Sequence, residues 1–410
     1  MAVTRPIGRV PCVDDPVETL PLPYSSEELA AIRAALPATE QHAYLNAGFL
    51  GPLPGRTRRV LELGLEREAG ARSRSTFFEE LVEQQAHLRA LLADLTGSAP
   101  DRVALMHATH VALSTALWGL DALPGESIVT TDAEHPGLLG PLRMLQDRLG
   151  VEVRTVPFGE GGVELAERLA EACDGQTLAV AASHVCYLDG AELDLPALAR
   201  LVPAGVRTII DGAQGAGALP VELDAWGIDA YTVSGQKWPL GPSGTGALVL
   251  ADPGAWRITV AGYMATTNPQ EALTSSLCRD ARRFEFAQES PAQAAALAES
   301  LRFLLEDVGL ERSAAHVRRL NAYARELLGR HLDEPGQLVS LDGSAHLLRL
   351  GLADGVDARQ LVHGLEAEHG VLVRDLPHGP AIRISIGAWT TAADLEQVTE
   401  GIAELLDWDR

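Results

Sequence analysis

The middle of the chain alternates short apolar runs with helical stretches, and this alternation restricts the fold more than any other feature of the sequence. From Asp101 to Leu250, runs rich in β-branched residues are separated by stretches with helical spacing, a pattern typical of a sheet with mostly parallel strands. The sequence therefore predicts an α/β fold, in which ligands bind beyond the carboxyl ends of the strands. The predicted strands are Val103–His107, Ser127–Thr131, Val151–Pro157, Thr177–Ser183, Val206–Asp211, Ala230–Ser234 and Gly246–Leu250.

The regions that flank this core predict helices and a second, smaller domain. Apolar residues recur at helical spacing over Ser25–Leu36 and over the long stretch Pro291–Leu332. We expect a large domain of residues 45–285 and a small α+β domain made of residues 1–44 and 286–410. The small domain is predicted to contain strands at His346–Gly351 and Ala381–Ile386 and helices at Ala358–His369 and Ala392–Leu406, whereas Pro253–Cys278 lacks a clear period and is predicted to be irregular.

Composition excludes several classes of partner. The formal net charge of -23 would repel nucleic acids and anionic lipids, and the 33 basic residues are scattered along the chain. No apolar run approaches the roughly 20 residues needed to span a bilayer, and Met1–Pro23 lacks the pattern of a signal peptide, so we expect a cytoplasmic protein. The 4 cysteines are far apart, and the 12 histidines form no HxxxH arrangement, so no metal site is predicted.

Two residues at the ends of predicted strands indicate a specific chemistry. Asp211 ends an apolar strand, and Lys237 lies in a Ser-Gly-Gln-Lys-Trp turn after another. Pyridoxal phosphate (PLP) needs an amine that holds its aldehyde as a Schiff base and an anion that keeps its pyridine nitrogen protonated. A buried aspartate needs such a cation, and a lysine released by substrate is a general base and acid. Either residue alone is more often a cap or a surface ion pair; together they predict a PLP site.

Several short blocks strengthen this interpretation, and their order and separations resemble one family. The blocks are Tyr44–Gly48, Thr131–His135, Ser183–Val185, Asp211–Gln214, Gly235–Trp238, Gly241–Gly246 and Ile382–Ser385. With them the chain resembles, over most of its length, the class V aminotransferase group of fold-type I PLP enzymes. It is more similar to the isopenicillin N epimerase-like and C-S lyase members than to cysteine desulfurases, because Val373–Ala381 lacks the nucleophilic cysteine of the desulfurases. Cys186 lies near the predicted site, and we expect it to be a small buried filler.

The resemblance implies which residues bind the cofactor. The phosphate would be bound at the start of a helix, where free N–H groups and the helix dipole favour an anion. Its predicted ligands are Ala108, Thr109, His110, Ser234 and Gln236. Gln288 would reach the phosphate of the neighbouring subunit, because the family site lies at a two-fold interface, which predicts a homodimer. His135 would stack on the cofactor ring, Ala213 would pack on its other face, and Gln214 would donate to its phenolic oxygen.

The resemblance also implies the substrate-binding residues. Arg383 lies between apolar residues of a predicted strand, where a guanidinium is costly to bury without a bidentate anion. That anion would be the α-carboxylate of a small-molecule amino acid, and Asn46 and Tyr187 would contact the same substrate. The alternative for Arg383 is an internal salt bridge.

The shared residues identify the cofactor but leave the reaction open. The first hypothesis is C-S β-lyase activity on a cysteine S-conjugate through an external aldimine, because the nucleophilic thiol is missing. Alternatives are transamination, decarboxylating or oxidative deamination, epimerisation of an amino acid, or a non-catalytic binding module. A dinucleotide-binding site is disfavoured, because Gly159–Gly162 and Gly212–Gly215 lack the G-x-G-x-x-G spacing.

Overall fold

A computed structural model describes residues 23–71, 73–262, 265–286, 290–331, 338–343 and 346–406. Its strands are β1 (Ala43–Tyr44), β2 (Val103–Met106), β3 (Ser127–Thr131), β4 (Glu152–Val156), β5 (Thr177–Ser183), β6 (Arg207–Asp211), β7 (Ala230–Ser234), β8 (Gly246–Leu250), β9 (Leu338–Asp342), β10 (Leu347–Leu352), β11 (Val371–Leu372), β12 (Arg374–Asp375) and β13 (Ala381–Ser385). Its α-helices are α1 (Ser26–Ala34), α2 (Gly55–Ala71), α3 (Phe77–Thr96), α4 (Thr109–Trp118), α5 (Pro136–Leu149), α6 (Gly162–Glu171), α7 (Leu195–Leu201), α8 (Leu223–Trp226), α9 (Pro291–Arg302), α10 (Leu310–Gly329), α11 (Ala358–His369) and α12 (Ala392–Leu405).

The central sheet has seven strands in the order β2-β8-β7-β6-β5-β3-β4. β8 runs antiparallel to both of its neighbours, whereas all strand pairs of this sheet without β8 are parallel. The carboxyl ends of β2, β3, β5, β6 and β7 therefore meet at one edge. Successive side chains of each strand enter different apolar cores, because helices cover both faces of the sheet. The predicted α/β fold with a mostly parallel sheet is confirmed.

A second, antiparallel sheet has the order β12-β13-β10-β9, and α10, α11 and α12 pack with it in a separate apolar core. The N-terminal segment joins this unit, because β1 pairs in parallel with β11. The α+β character predicted for the C-terminal region is confirmed. No helix in the described part of the chain is both long and apolar enough to cross a membrane.

The helical stretch predicted over Pro291–Leu332 is divided in the structure. The stretch Pro291–Leu332 is not a single helix, because α9 ends at Arg302, a π-helical turn covers Phe303–Val308, and a new helix begins at Leu310. Gly309 separates the two segments with a φ of 75°, a conformation that glycine adopts without steric cost.

The two helices before the sheet, α2 and α3, were not predicted. Helix α9 packs against both, with Leu297 buried in the core that also contains Leu92 of α3. Helix α10 instead contributes Leu320 to the core of the antiparallel sheet. We propose a boundary near residue 286 between the large and small domains, with α9 as the helix that connects them.

Candidate active site

A cavity of about 430 Å³ opens at the edge of the central sheet where the carboxyl ends of the parallel strands meet. Its wall is built from the segments that follow β2, β3, β5, β6 and β7. The antiparallel sheet contributes residues of β12 and β13 to the wall, and the segment Gly48–Leu50 forms part of the rim. The predicted residues that line it are Ala108, Thr109, His110, His135, Tyr187, Asp211, Ala213, Gln214, Ser234, Gln236, Lys237 and Arg383.

Lys237 lies in the turn after β7 and is the single lysine of the whole chain. Burial lowers the pKa of its amine from 10.5 to about 8, and the nearby Asp211 carboxylate opposes this by raising it. Within the described residues the amine forms no ion pair. Leu240 closes the turn with a φ of 59° and is buried in the core, so packing holds the lysine in place. A buried, partly neutral amine fits the aldehyde of PLP.

Asp211 ends β6 in the middle of the sheet and is 6% exposed. Its Oδ1 accepts a hydrogen bond of 2.9 Å from the N–H of Ala213. No lysine, arginine or histidine of the described chain lies within ion-pair distance of this carboxylate. A buried carboxylate without a cation is costly, so the site fits the protonated ring nitrogen of PLP.

The start of α4 presents unused hydrogen-bonding groups at another corner of the cavity. Ala108 caps the helix without a side-chain hydrogen bond. The hydroxyl of Thr109 and the amide oxygen of Gln236 are buried, and neither has a hydrogen-bond partner among the described residues. Ser234 and His110 line the same cavity. The Thr109 hydroxyl and the free N–H groups at the helix start fit the phosphate of PLP as donors, whereas Gln236 would have to use the N–H groups of its amide, because its amide oxygen is an acceptor. The predicted ligand Gln288 lies outside the described residues.

His135 follows β3 and is the N-cap of α5. Its Nδ1 accepts a hydrogen bond of 3.0 Å from the N–H of Gly137, so the neutral ring carries its proton on Nε2. The ring meets Tyr187 edge to face, with centroids 5.0 Å apart. Burial lowers the pKa of His135, and the positive charge of Lys237 lowers it further. The side chain is therefore fixed in orientation and neutral, as a stacking role requires.

Glu134 is a residue whose importance the sequence did not reveal. Its carboxylate is 3% exposed and accepts hydrogen bonds from the hydroxyl of Thr131, at 2.6 Å, and from the hydroxyl and N–H of Ser183. Burial raises its pKa to about 7, although these hydrogen bonds oppose the rise. Since Thr131 and Ser183 end neighbouring strands, Glu134 fixes the strand ends beside His135.

Gln214 connects three parts of the site. Its amide nitrogen donates to the carbonyl of Gly48 at 2.8 Å, and its amide oxygen accepts from the indole N–H of Trp238 at 2.9 Å. The amide therefore ties the rim segment to the residue that follows Lys237. Donation to the phenolic oxygen of the cofactor, which would use the second N–H of the amide, stays a prediction.

Arg383 lies in the middle of β13 and is 3% exposed. Its Nη1 donates to the carbonyl of Tyr187, whereas its Nε is buried without a partner among the described residues. No acidic residue of the described chain forms a salt bridge with it, so the alternative of an internal salt bridge finds no support. Burial lowers the pKa of the guanidinium to about 10, and the neighbouring Arg374 contributes to this. Such an uncompensated cation fits a carboxylate ligand.

The remaining substrate prediction is only partly matched by the geometry. Asn46 is two residues before Gly48 and is not part of the cavity wall, although its amide oxygen is buried without a partner among the described residues. The wall also contains Phe49 and Arg374, which the sequence reasoning did not select. Arg374 lies nine residues before Arg383, and an arginine so close in sequence to the predicted carboxylate ligand is a signal for its place in the wall.

Known proteins resemble this chain in sequence. The model of the family "Aminotransferase class-V" matches residues 61–398. Isopenicillin N epimerase of Streptomyces clavuligerus is 30% identical over 383 residues, which cover 88% of this chain and 94% of that enzyme. Probable cysteine desulfurase 2 of Mycobacterium leprae is 27% identical, with 93% and 97% of the two chains covered.

Solved structures show the same fold. The complex of the cystine C-S lyase C-DES with its reaction product cysteine persulfide superposes with a TM-score of 0.81 at 24% identity, covering 90% of this chain and 99% of that chain. A cysteine desulfurase from Thermococcus onnurineus superposes equally well, with a TM-score of 0.81 at 20% identity and 92% and 98% of the chains covered. The predicted fold type and the predicted cofactor, PLP, are confirmed. The chain belongs to the class V aminotransferase family of PLP-dependent enzymes.

Proposed function

We propose that the protein is a C-S β-lyase that acts on an S-conjugate of cysteine. The observation that carries the proposal is the buried guanidinium of Arg383, which has no salt bridge among the described residues and lies in the same cavity as the amine of Lys237. This pair selects a substrate that has both an α-carboxylate and an α-amino group. The absence of a cysteine from Val373–Ala381 leaves no candidate there for the nucleophile of desulfurases.

Each step of such a reaction can be assigned to a side chain of the cavity. PLP, when bound, supplies an electron sink conjugated to the α-carbon. Arg383 holds the α-carboxylate, and Lys237, freed by the substrate amine, accepts the proton from the α-carbon. The pKa of about 8 leaves part of the amine neutral near neutral pH, as a base must be. The electron pair of the broken Cα–H bond forms the Cα–Cβ double bond, the Cβ–S pair leaves with sulfur, and the sulfur takes a proton to become a thiol.

The protonated Nε2 of His135 is the candidate donor of that proton. Its Nδ1 is already occupied by the N–H of Gly137, so the ring presents one fixed N–H. The other products after hydrolysis are pyruvate and ammonia. Relatives support the class of reaction, since one fold neighbour is a cystine C-S lyase.

The test is to incubate the PLP-loaded protein with a panel of cysteine S-conjugates and to measure pyruvate and thiol in equal amounts. We expect both products from the wild type and neither from Lys237→Ala. An Arg330→Gln variant, which changes an exposed arginine at the end of α10 that is paired with Glu326, is the matched control and should keep its activity. Absence of pyruvate and thiol with every conjugate would reject the proposal.

Epimerisation is the second candidate, because isopenicillin N epimerase is similar over 88% of the chain. Inversion needs a proton donor on the opposite side of the α-carbon from the base, and His135 could serve with Lys237 as the pair. Incubation in deuterated water separates the two functions: an epimerase returns substrate of inverted configuration with deuterium on the α-carbon and releases no thiol. For either reaction we propose that the protein is a homodimer and that the active site lies at the subunit interface.

A further inference from the structure

Two arginines lie directly opposite each other on neighbouring strands of the small sheet. Arg374 of β12 pairs in antiparallel register with Arg383 of β13. Residues in such a pair have Cβ atoms about 5 Å apart on the same face of the sheet, and like charges there are destabilising. Both arginines line the cavity. The fold therefore keeps two positive charges side by side in the wall of the site.

Arg374 is held in place but its charge is little compensated. Its guanidinium carbon lies 4.4 Å from the centre of the Phe49 ring, a cation–π contact with the rim of the cavity. Its acidic contact is Oδ1 of Asp375, 3.9 Å from Nε, which is beyond hydrogen-bonding distance. Its side chain is 44% exposed. Among the described residues the guanidinium of Arg374 has no hydrogen-bond partner, so it can bind an anion at the cavity mouth.

The charges of the cavity indicate what that anion belongs to. Lys237, Arg374 and Arg383 are the lysine and arginines of the wall, and Asp211 and Asp375 are its acids. In the proposed function the lysine and Asp211 engage the cofactor, and Arg383 binds the α-carboxylate. The proposed reaction gives no role to Arg374. The cofactor phosphate is proposed to bind at the start of α4, in another part of the cavity wall, so it does not explain Arg374 either.

We infer that the substrate carries a second negative group beyond its α-carboxylate, and that Arg374 binds it. The substrate class is a cysteine S-conjugate whose sulfur substituent ends in a carboxylate. The inference rests on the proposed function for the position of the α-carboxylate. Phe49 would cover the apolar part of the substituent, since its ring is 46% exposed at the same rim.

The experiment compares substrates that differ in a single charge. S-carboxymethyl-L-cysteine and S-(2-carboxyethyl)-L-cysteine are each paired with the neutral amide of the same shape. Dissociation constants are measured from the change in the visible spectrum of the PLP-loaded enzyme, and turnover is measured separately as pyruvate. We expect at least one acid to bind about tenfold or more tightly than its amide, as a charged hydrogen bond to arginine gives.

Variants test whether Arg374 causes the preference for the acid over the amide. In Arg374→Gln the ratio of acid to amide affinity should fall to near 1, and Arg374→Lys should recover part of it, whereas Arg330→Gln should keep the wild-type ratio. The inference is overturned if neither pair shows a preference in the wild type, or if Arg374→Gln keeps the preference.

The two proposals fail separately. Tighter binding of the acid without pyruvate from any conjugate would reject the lyase reaction and support the second anion site. If the acid and the amide both yield pyruvate and bind with equal affinity, the lyase reaction is supported and the second anion site is rejected.

Discussion

Replacement of Arg383 by methionine should make the protein more stable and at the same time weaken substrate binding. The guanidinium is 3% exposed and forms no salt bridge with a described acidic residue. Methionine carries no charge, and although it is shorter than arginine, its flexible side chain can fill most of the same space. The expected gain in stability has a sign opposite to that of most core substitutions.

The magnitude follows from the pKa. Lowering the pKa of Arg383 from 12.5 to about 10 corresponds to a penalty of roughly 3 kcal/mol on the charged form. The variant loses the hydrogen bond to the carbonyl of Tyr187, about 1 kcal/mol, so the net gain is about 2 kcal/mol. Since the folded pKa is the lower of the two, the penalty is complete at every pH below about 10 and vanishes only as the pH rises towards about 12.5.

The assay is urea unfolding of the cofactor-free protein at pH 7, with the Michaelis constant for the amino-acid substrate measured on the PLP-loaded form. We expect a higher unfolding midpoint in the variant and a Michaelis constant raised about 100-fold, because a buried charge pair with the substrate is lost. A loss of unfolding free energy greater than about 1 kcal/mol would refute the reasoning, since it would mean that Arg383 has a structural partner.

Three further changes have outcomes that the site geometry fixes. The pKa of Glu134 in the folded protein, about 7, lies above its ordinary value of 4.5. The unfolding free energy of the wild type relative to Glu134→Gln should therefore fall by up to roughly 3 kcal/mol as the pH rises from about 4.5 past 7. Equal pH profiles of the two proteins in urea unfolding would contradict this. Capture of PLP by the apoprotein, followed by stopped-flow absorbance, should accelerate as the pH rises through about 8, because the neutral amine of Lys237 is the nucleophile; a rate independent of pH would exclude this value. Gly48→Ala would place its Cβ 2.7 Å from Nη2 of Arg383 and so displace the guanidinium. The Michaelis constant should therefore rise about tenfold, with little change in the midpoint of urea unfolding. An unchanged Michaelis constant would show that the arginine moves freely.

Much of the fold was predictable because the strands are short apolar runs with clear boundaries. The predicted strands agree with the observed ones to within one residue at each end. The break at Gly309 was missed because the apolar spacing continues on both sides of the glycine. That Lys237 and Asp211 line one cavity was predictable, because each lies at or after the carboxyl end of a strand in a mostly parallel sheet, and Lys237 is also the single lysine of the chain.

The parts of the site that were missed depend on contacts between distant segments. The buried state of Glu134 is created by Ser183, 49 positions further along the chain, and no local pattern reveals it. The position of Arg374 depends on its register with Arg383, which only the pairing of β12 with β13 determines. The engagement of Gln214 by Trp238 and Gly48 likewise joins segments that are far apart in sequence.

The most direct test of the central claim is to trap the cofactor on the protein. The PLP-loaded enzyme is reduced with borohydride, digested and mapped by mass spectrometry, and its visible spectrum is compared with that of Lys237→Ala. Because Lys237 is the single lysine, the account predicts one modified side chain, at that residue, and loss of the visible band in the variant. An unchanged band in Lys237→Ala, or a reduced enzyme without the cofactor mass on Lys237, would contradict it.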